Sequence, residues 1–359
     1  MINKYLGLLI GLFAFSLIFL GLVFYDKKNN LTEKDNILID AFFENVKPQC
    51  IGRFVVDVPI PFNNKEDNKI FIDDFRIESK FIYPPAFKQR IELREKAIRN
   101  QKTSQKNAPV LKEIIQLSDG KGVIFDRNNS GQDDLSRTLE AHVYVNFIAF
   151  IITVDILDLS NPKYLNRKKT YENAGFSEYD MNEKPTKLAA MQSLISRLSG
   201  RKNENIPVDN GVCIPNGFIS DDGNKHKEII SFTYENDDFI LGFKSDNTAI
   251  GSNDTLFNRS SQINEAMSLS KKSTIKKEKL SPNGIPSLEW LMVGHQNKQE
   301  DADLFEFILY SNEEIADLQN PLLYIGLNNT DKSTQYSQWQ LVEIWDRIVG
   351  SLRYKPNAF

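Results

Sequence analysis

Cys50-Ile-Gly-Arg-Phe-Val-Val-Asp-Val-Pro59 opens the body of this chain, and a partial echo follows at Cys213-Ile-Pro-Asn-Gly-Phe-Ile219. Both segments place a cysteine ahead of a glycine and a short apolar run of β type. Each begins a stretch of about the length of one domain. Two related modules in tandem are therefore expected.

Working outward from the first segment, Arg53 to Val58 is β-rich, and Pro59 with Pro61 ends it. Phe75 and Ile77 alternate with Arg76 and Glu78, the pattern of a half-buried strand. Phe87, Ile91, Ala97 and Ile98 set a helical stripe among charges. Residues 114–117, 123–125 and 141–156 read as further strands. Leu188, Met191, Ile195 and Leu198 form a closing amphipathic helix, started by Pro185 and Thr186 and ended by Gly200.

The second half repeats this order. Strands are expected at 212–219, at Ile230, Phe232 and Tyr234, and at 239–243. A helix follows over about 254–269, then strands near 274–280, 288–293, 304–310 and 322–327. Leu341, Ile344, Trp345, Ile348 and Leu352 mark another closing helix. The closing segments Ile195-Ser-Arg-Leu-Ser-Gly-Arg201 and Trp345-Asp-Arg-Ile-Val-Gly-Ser351 also resemble each other, although helices ending in glycine converge easily. The expected class is α+β: two tandem modules of duplicated order, each an antiparallel sheet with helices on one face. Their bounds read as 47–205 and 206–359, and 201–210 with Pro207 is polar enough for a connection.

Ahead of them, Tyr5 to Tyr25 is apolar and uncharged. As a helix, about 20 residues span a hydrocarbon core, with a tyrosine at each interface. Residues 1–28 therefore read as one N-terminal transmembrane helix or uncleaved signal, and 29–46 as a polar, helix-compatible linker. A cleaved signal is the alternative; the run is longer than such segments use, and no small-residue cleavage site precedes Asp26. The expected location is the inner membrane, single-pass, with the body in the periplasm, or a soluble periplasmic body after cleavage. The balance of 44 Lys and Arg against 48 Asp and Glu argues against nucleic acid as a partner. Cys50 and Cys213, in an oxidising compartment, are candidates for one disulfide; two buried thiols are the other account.

No compact catalytic motif is present. His142, His226 and His295 are the chain's histidines, and none belongs to a metal-ligand pair; no Gly-x-Ser-x-Gly elbow or dinucleotide loop occurs. Asp119-Gly-Lys-Gly122 reads as a hairpin turn rather than a phosphate loop. Acidic pairs at Asp73-Asp74, Asp133-Asp134, Asp221-Asp222 and Asp237-Asp238 sit beside Asn and Gly, as solvated turns do. Neither a cofactor nor a small-molecule substrate is expected. Phe81, Tyr83 and Phe87 around Pro84-Pro85 fall in an irregular stretch, where aromatics serve either as packing or as interface anchors.

The segment Cys50–Pro59 resembles the opening of the N-terminal domain of type VI secretion immunity proteins that neutralise phospholipase effectors. Arg137-Thr-Leu-Glu140-Ala-His is similar to a later part of that domain. Gly211-Val-Cys213-Ile-Pro-Asn-Gly217-Phe-Ile resembles the start of the family's C-terminal domain. Gly284-Ile-Pro286-Ser-Leu-Glu289 resembles its Gly-Leu-Pro-Gly-Glu-Glu segment, from which Ser287 and Leu288 depart. The resemblance covers 45–355. It implies a non-enzymatic periplasmic inhibitor whose partner is a cognate lipase, blocked at its active-site entrance or lid. A Cys50–Cys213 bridge would then staple the modules. Asp133, Asp134, Asp221 and Asp222 are the candidate partner-binding residues, as acidic loops that steer toward a basic partner. A scaffolding protein of the envelope, or a hydrolase with a dispersed acidic site, are the competing classes.

Overall fold

Cys50–Pro59 folds as most of a β-hairpin whose first strand begins earlier than its composition suggests. The computed structural model describes residues 31–65, 68–129, 131–295, 303–329 and 333–359. The expected membrane-spanning stretch at 5–25 lies outside these residues; among them, no helix is long and apolar enough to cross a membrane.

The first half contains α1 (Glu33–Phe43), β1 (Val46–Ile51), β2 (Phe54–Pro59), β3 (Asn63–Asn64), β4 (Ile70–Ile72), β5 (Phe75–Phe81) and α2 (Pro84–Asn100). It continues with β6 (Leu111–Gln116), β7 (Gly122–Asn128), β8 (Ser136–Val145), β9 (Ile148–Leu157), α3 (Leu165–Asn173), α4 (Glu178–Met181), α5 (Lys184–Arg197) and β10 (Leu198–Gly200). The second half contains β11 (Gly211–Ile214), β12 (Gly217–Ser220), β13 (Glu228–Glu235), β14 (Ile240–Asp246), α6 (Ser260–Leu269) and β15 (Lys272–Leu280). It ends with β16 (Ser287–His295), β17 (Asp303–Ser311), β18 (Leu322–Asn328), α7 (Gln338–Gly350) and β19 (Arg353–Tyr354).

The class is α+β, with antiparallel pairing throughout. The two expected sheets are, however, fused into one of 13 strands, beside two three-stranded sheets, β1-β2-β19 and β10-β12-β11. The order of the large sheet is β15-β16-β17-β18-β14-β13-β4-β5-β9-β8-β7-β6, and β3 adds to β13. The halves meet edge to edge where Ile230 pairs with Ile70 and Glu228 with Ile72. On either side of this seam the strands follow the same order, as a two-fold axis between β4 and β13 would generate.

Helices lie on both faces, not one. Phe125 and Val123 point to the face covered by α2, where they pack with Ile98. Ile124 points to the other face, with Met191 and Leu194 of α5. Trp290 lies beneath α6 in the same way, while Trp345 of α7 fills the opposite face. Strands beneath these helices, such as β7 with Val123-Ile124-Phe125 and β16 with Trp290-Leu291-Met292, therefore carry apolar residues at consecutive positions, because both of their sides are covered.

The closing helix of the first half stops at Arg197. Leu198 to Gly200, expected as its last turn, is instead strand β10, paired with β12 of the second half. Reciprocally, β19 at the end of the second half pairs with β2 of the first. The expected linker at 29–46 is a docked helix over much of its length. Thr32 and Asp35 form a capping box, Ile39 is fully buried, and Phe42 contacts Phe62 and Tyr336 edge-on.

Candidate functional site

The two opening hairpins face each other at the seam. Cys50 and Cys213 are joined by a disulfide. Beside it, Gly52 N donates to Cys213 O at 3.0 Å and Cys213 N donates to Gly52 O at 2.9 Å. Gly52 has φ +61°, and a Cβ there would lie 2.7 Å from Ser245 Oγ, so a glycine is needed at this close approach. The next residue, Arg53, is buried and forked between two carboxylates of the other half. Its Nη2 lies 2.6 Å from Glu228 Oε1, and it makes two 3.0 Å bonds to Asp221. Burial raises the pKa of Glu228, and Arg53 opposes that shift.

Arg201 opens the connection between the halves and is tied down by backbone carbonyls. Its guanidinium donates to Gly217, Lys202, Asn203 and Asn205 at 2.8–3.1 Å. Burial pushes its pKa down to about 10.

The four candidate aspartates do not form free acidic loops. Asp134 is 7% exposed. Lys112 lies 2.8 Å away and Lys163 2.7 Å away, and the Tyr164 hydroxyl also donates to it. Burial works to raise its pKa, but these donors outweigh it and hold the carboxyl well below the carboxylate range. Asp133 pairs with Arg167 at 2.9 Å. Asp221 belongs to Arg53, and Asp222 bonds His226 Nε2 at 3.1 Å. Turns that read as solvated thus hold basic partners: Asp133, Asp134 and Asp221 pair with residues from elsewhere in the sequence, and Asp222 with His226 four residues on.

The histidines fare likewise. His142 is enclosed under α2, with Nε2 2.9 Å from Glu140, which also accepts from Arg94 and Arg127 at 2.6–2.7 Å. His226 bridges Asp73 and Asp222. Among the described residues, no three His, Cys, Asp or Glu are grouped to hold a metal ion.

A half-open surface lies between α2 and α6. These helices cover the two wings of one sheet face. Between them, strands β5, β4, β13, β14 and β18 present a shallow strip that crosses the seam. The register aligns Arg76 with Phe71, Phe71 with Ile229, Thr233 with Gly242 and Gly242 with Gly326 on that side. Phe71 is 36% exposed, and Ile229, Ser231, Thr233 and Gly242 are half-buried. The signal for this strip was in the sequence. Ser231 and Thr233 are small residues at alternating positions of a strand whose other face is apolar, and Gly242 stands between the buried Leu241 and Phe243. Linking those strands across the seam required the pairing.

Two family models match the chain: the N-terminal domain of Tle cognate immunity protein 4 over residues 47–201, and its C-terminal domain over 205–357. Similar solved structures include the apo form of immunity protein TplEi of the type VI secretion system from Pseudomonas aeruginosa. It has a TM-score of 0.67 and 18% identity, and the match covers 87% of this chain and 98% of that one. A Tle4–Tli4 complex matches with a TM-score of 0.67 and 18% identity, over 88% of this chain and 99% of that one. TplEi complexed with an "L" peptide matches with a TM-score of 0.61 and 18% identity, over 87% and 98%. At this identity the likeness to solved structures is one of fold. No curated protein matches the chain.

Proposed function

The chain belongs to the Tle cognate immunity protein 4 family, and from that premise we propose that it binds and inhibits a type VI secretion phospholipase. The supporting observation is the family match over both halves. The solved Tle4–Tli4 complex gives a precedent for a partner of this kind.

Inhibition on this reading is steric. A lipase opens a lid before it acts on a membrane, and holding that lid or covering the entrance stops turnover without chemistry by the inhibitor. The fused sheet suits the task. Its bare strip spans both halves, and α2 and α6 flank it as walls. A disulfide and the buried Arg53 pairs fix the halves to each other, so little ordering is left to do on binding. The strip, with its flanking helices, is the surface we assign to the partner.

The body works in the periplasm on this reading, held to the inner membrane by the segment at 5–25. Tethering would keep the inhibitor concentrated at the membrane where a lipase must act.

A protection assay tests the function. A phospholipase effector of the Tle4 kind is directed to the periplasm with and without this protein. Survival that depends on the protein supports immunity. Equal killing in both strains removes the reading.

A further inference from the structure

Strand β5 is paired along one side only for part of its length. Toward β9 the ladder runs from Arg76 opposite Thr153 to Phe81 opposite Ile148. Toward β4 it stops where Ile77 meets Ile70. In an antiparallel sheet, successive residues turn their main-chain groups to opposite sides. Ile82 N donates to Phe147 O on the β9 side, so Ser79 and Phe81 turn theirs to the β4 side. No described strand pairs with them there. Unpaired edge groups of this kind are a template for an added strand.

Two further features converge on this edge. The first is charge. A cleft of about 340 Å³ opens beside it; among the described residues Lys69, Arg76, Lys80 and Arg90 line it with one acid, Glu78, which pairs with Arg76 at 2.9 Å. This basic cleft stands out in a chain of net charge −4.

The second is an aromatic tip. Phe81, Tyr83 and Phe147 are 55%, 65% and 54% exposed. The Phe81 ring lies 5.4 Å from Tyr83 and 6.4 Å from Phe147. Phe147 sits in the two-residue turn between β8 and β9, with φ 65°, after Asn146 at φ 50°. That turn favours Asn-Gly, and a bulky residue in the glycine position is strained. The ring is more than half in solvent, so the fold gains little from it. Strain retained beside an exposed ring points to use by a partner.

We propose that the β5 edge at Ser79 and Phe81 takes an extended segment of the effector as an added strand. Phe81, Tyr83 and Phe147 grip an apolar side chain of that segment, and the basic cleft takes an acidic one. The proposal rests on the immunity reading and names the chemistry of what the protein holds.

The test uses full-length protein and the purified effector of the protection assay. Phe147→Gly removes the ring and relieves the turn, so its melting temperature should stay level or rise while affinity falls tenfold or more. Phe81→Ala should weaken binding similarly. On complex formation, hydrogen exchange at the Ser79 and Phe81 amides should slow at least tenfold. Both variants binding within twofold of the unaltered protein, or no slowing at those two amides, overturns the strand addition and leaves the immunity reading intact. Failure of the unaltered protein to bind the effector overturns both. Vesicles of phosphatidylethanolamine and phosphatidylglycerol serve as the rival probe. Vesicle binding lost in Phe147→Gly, with effector affinity kept, assigns the tip to membrane and overturns the proposal.

Discussion

Cys50 and Cys213 each stand two residues before the two-residue turn of their own hairpin, and they are bonded to each other across the seam. Both are fully buried. The bond closes a loop with a sequence separation of 163 residues, which in the chain-entropy model contributes about 5 kcal/mol. The Cys50→Ala, Cys213→Ala double variant should therefore unfold at markedly lower denaturant. Reductant should lower the midpoint of the unaltered protein, but not that of the variant. Equal midpoints with and without reductant would remove the bond as a source of stability.

Arg53 neutralises Glu228 and Asp221 inside the seam. Arg53→Met leaves two carboxylates with their charge uncompensated, a change that costs about 3–5 kcal/mol in buried pairs. In a Glu228→Gln background the same substitution should cost less. A double-mutant cycle in denaturant reads the difference, and additive losses would mean the two side chains act separately.

His226 joins the turn between β4 and β5 to the second half. Nδ1 lies 2.7 Å from Asp73 and Nε2 lies 3.1 Å from Asp222. Burial works against the charged ring, but the hydrogen bonds it donates to Asp73 and Asp222 outweigh it, even against nearby Arg197, and raise its pKa. The unfolded value is about 6.5. The stabilisation is thus complete below that pH and is lost as pH rises through the raised folded value. Between pH 6 and 9 the melting temperature of the unaltered protein should fall relative to His226→Gln. Parallel curves would contradict this.

The bare strip gives a prediction for inhibition. Thr233→Arg places a long charged side chain at its centre, opposite Gly242. Interface centres tolerate such changes poorly, so binding to the effector should weaken by roughly tenfold or more. Thr233 lies half-open on the strip, so thermal stability should hardly change. Titration calorimetry against the effector, beside a melting curve, separates the two.

The repeated order of elements was legible because strands such as Glu228–Glu235 alternate buried and half-buried residues. The closing helices announce themselves through apolar spacing. Strand β1 hid because its first residues, Val46-Lys47-Pro48, are exposed or polar and show no alternation. β10 and β19 hold three and two residues, too few to show any period. The fusion of the sheets was invisible for another reason: Ile70 and Ile230 pair across a distance that no local pattern encodes. The same holds for the site. Asp134 and Asp221 sit among turn-forming residues, and only the fold brings Lys163 and Arg53 to them. Phe81 and Tyr83 were visible as aromatics in an irregular stretch, but the open edge beside them belongs to pairing, not to composition.

The terminal strands β10 and β19 each complete the opposite half. That is the arrangement two identical polypeptides would adopt after trading their tails. Cutting the backbone within 203–209 would therefore not yield a pair of self-sufficient pieces. Each fragment would own a hairpin lacking its third strand, and only the Cys50–Cys213 bond would keep the two pieces covalently together once the backbone was cut.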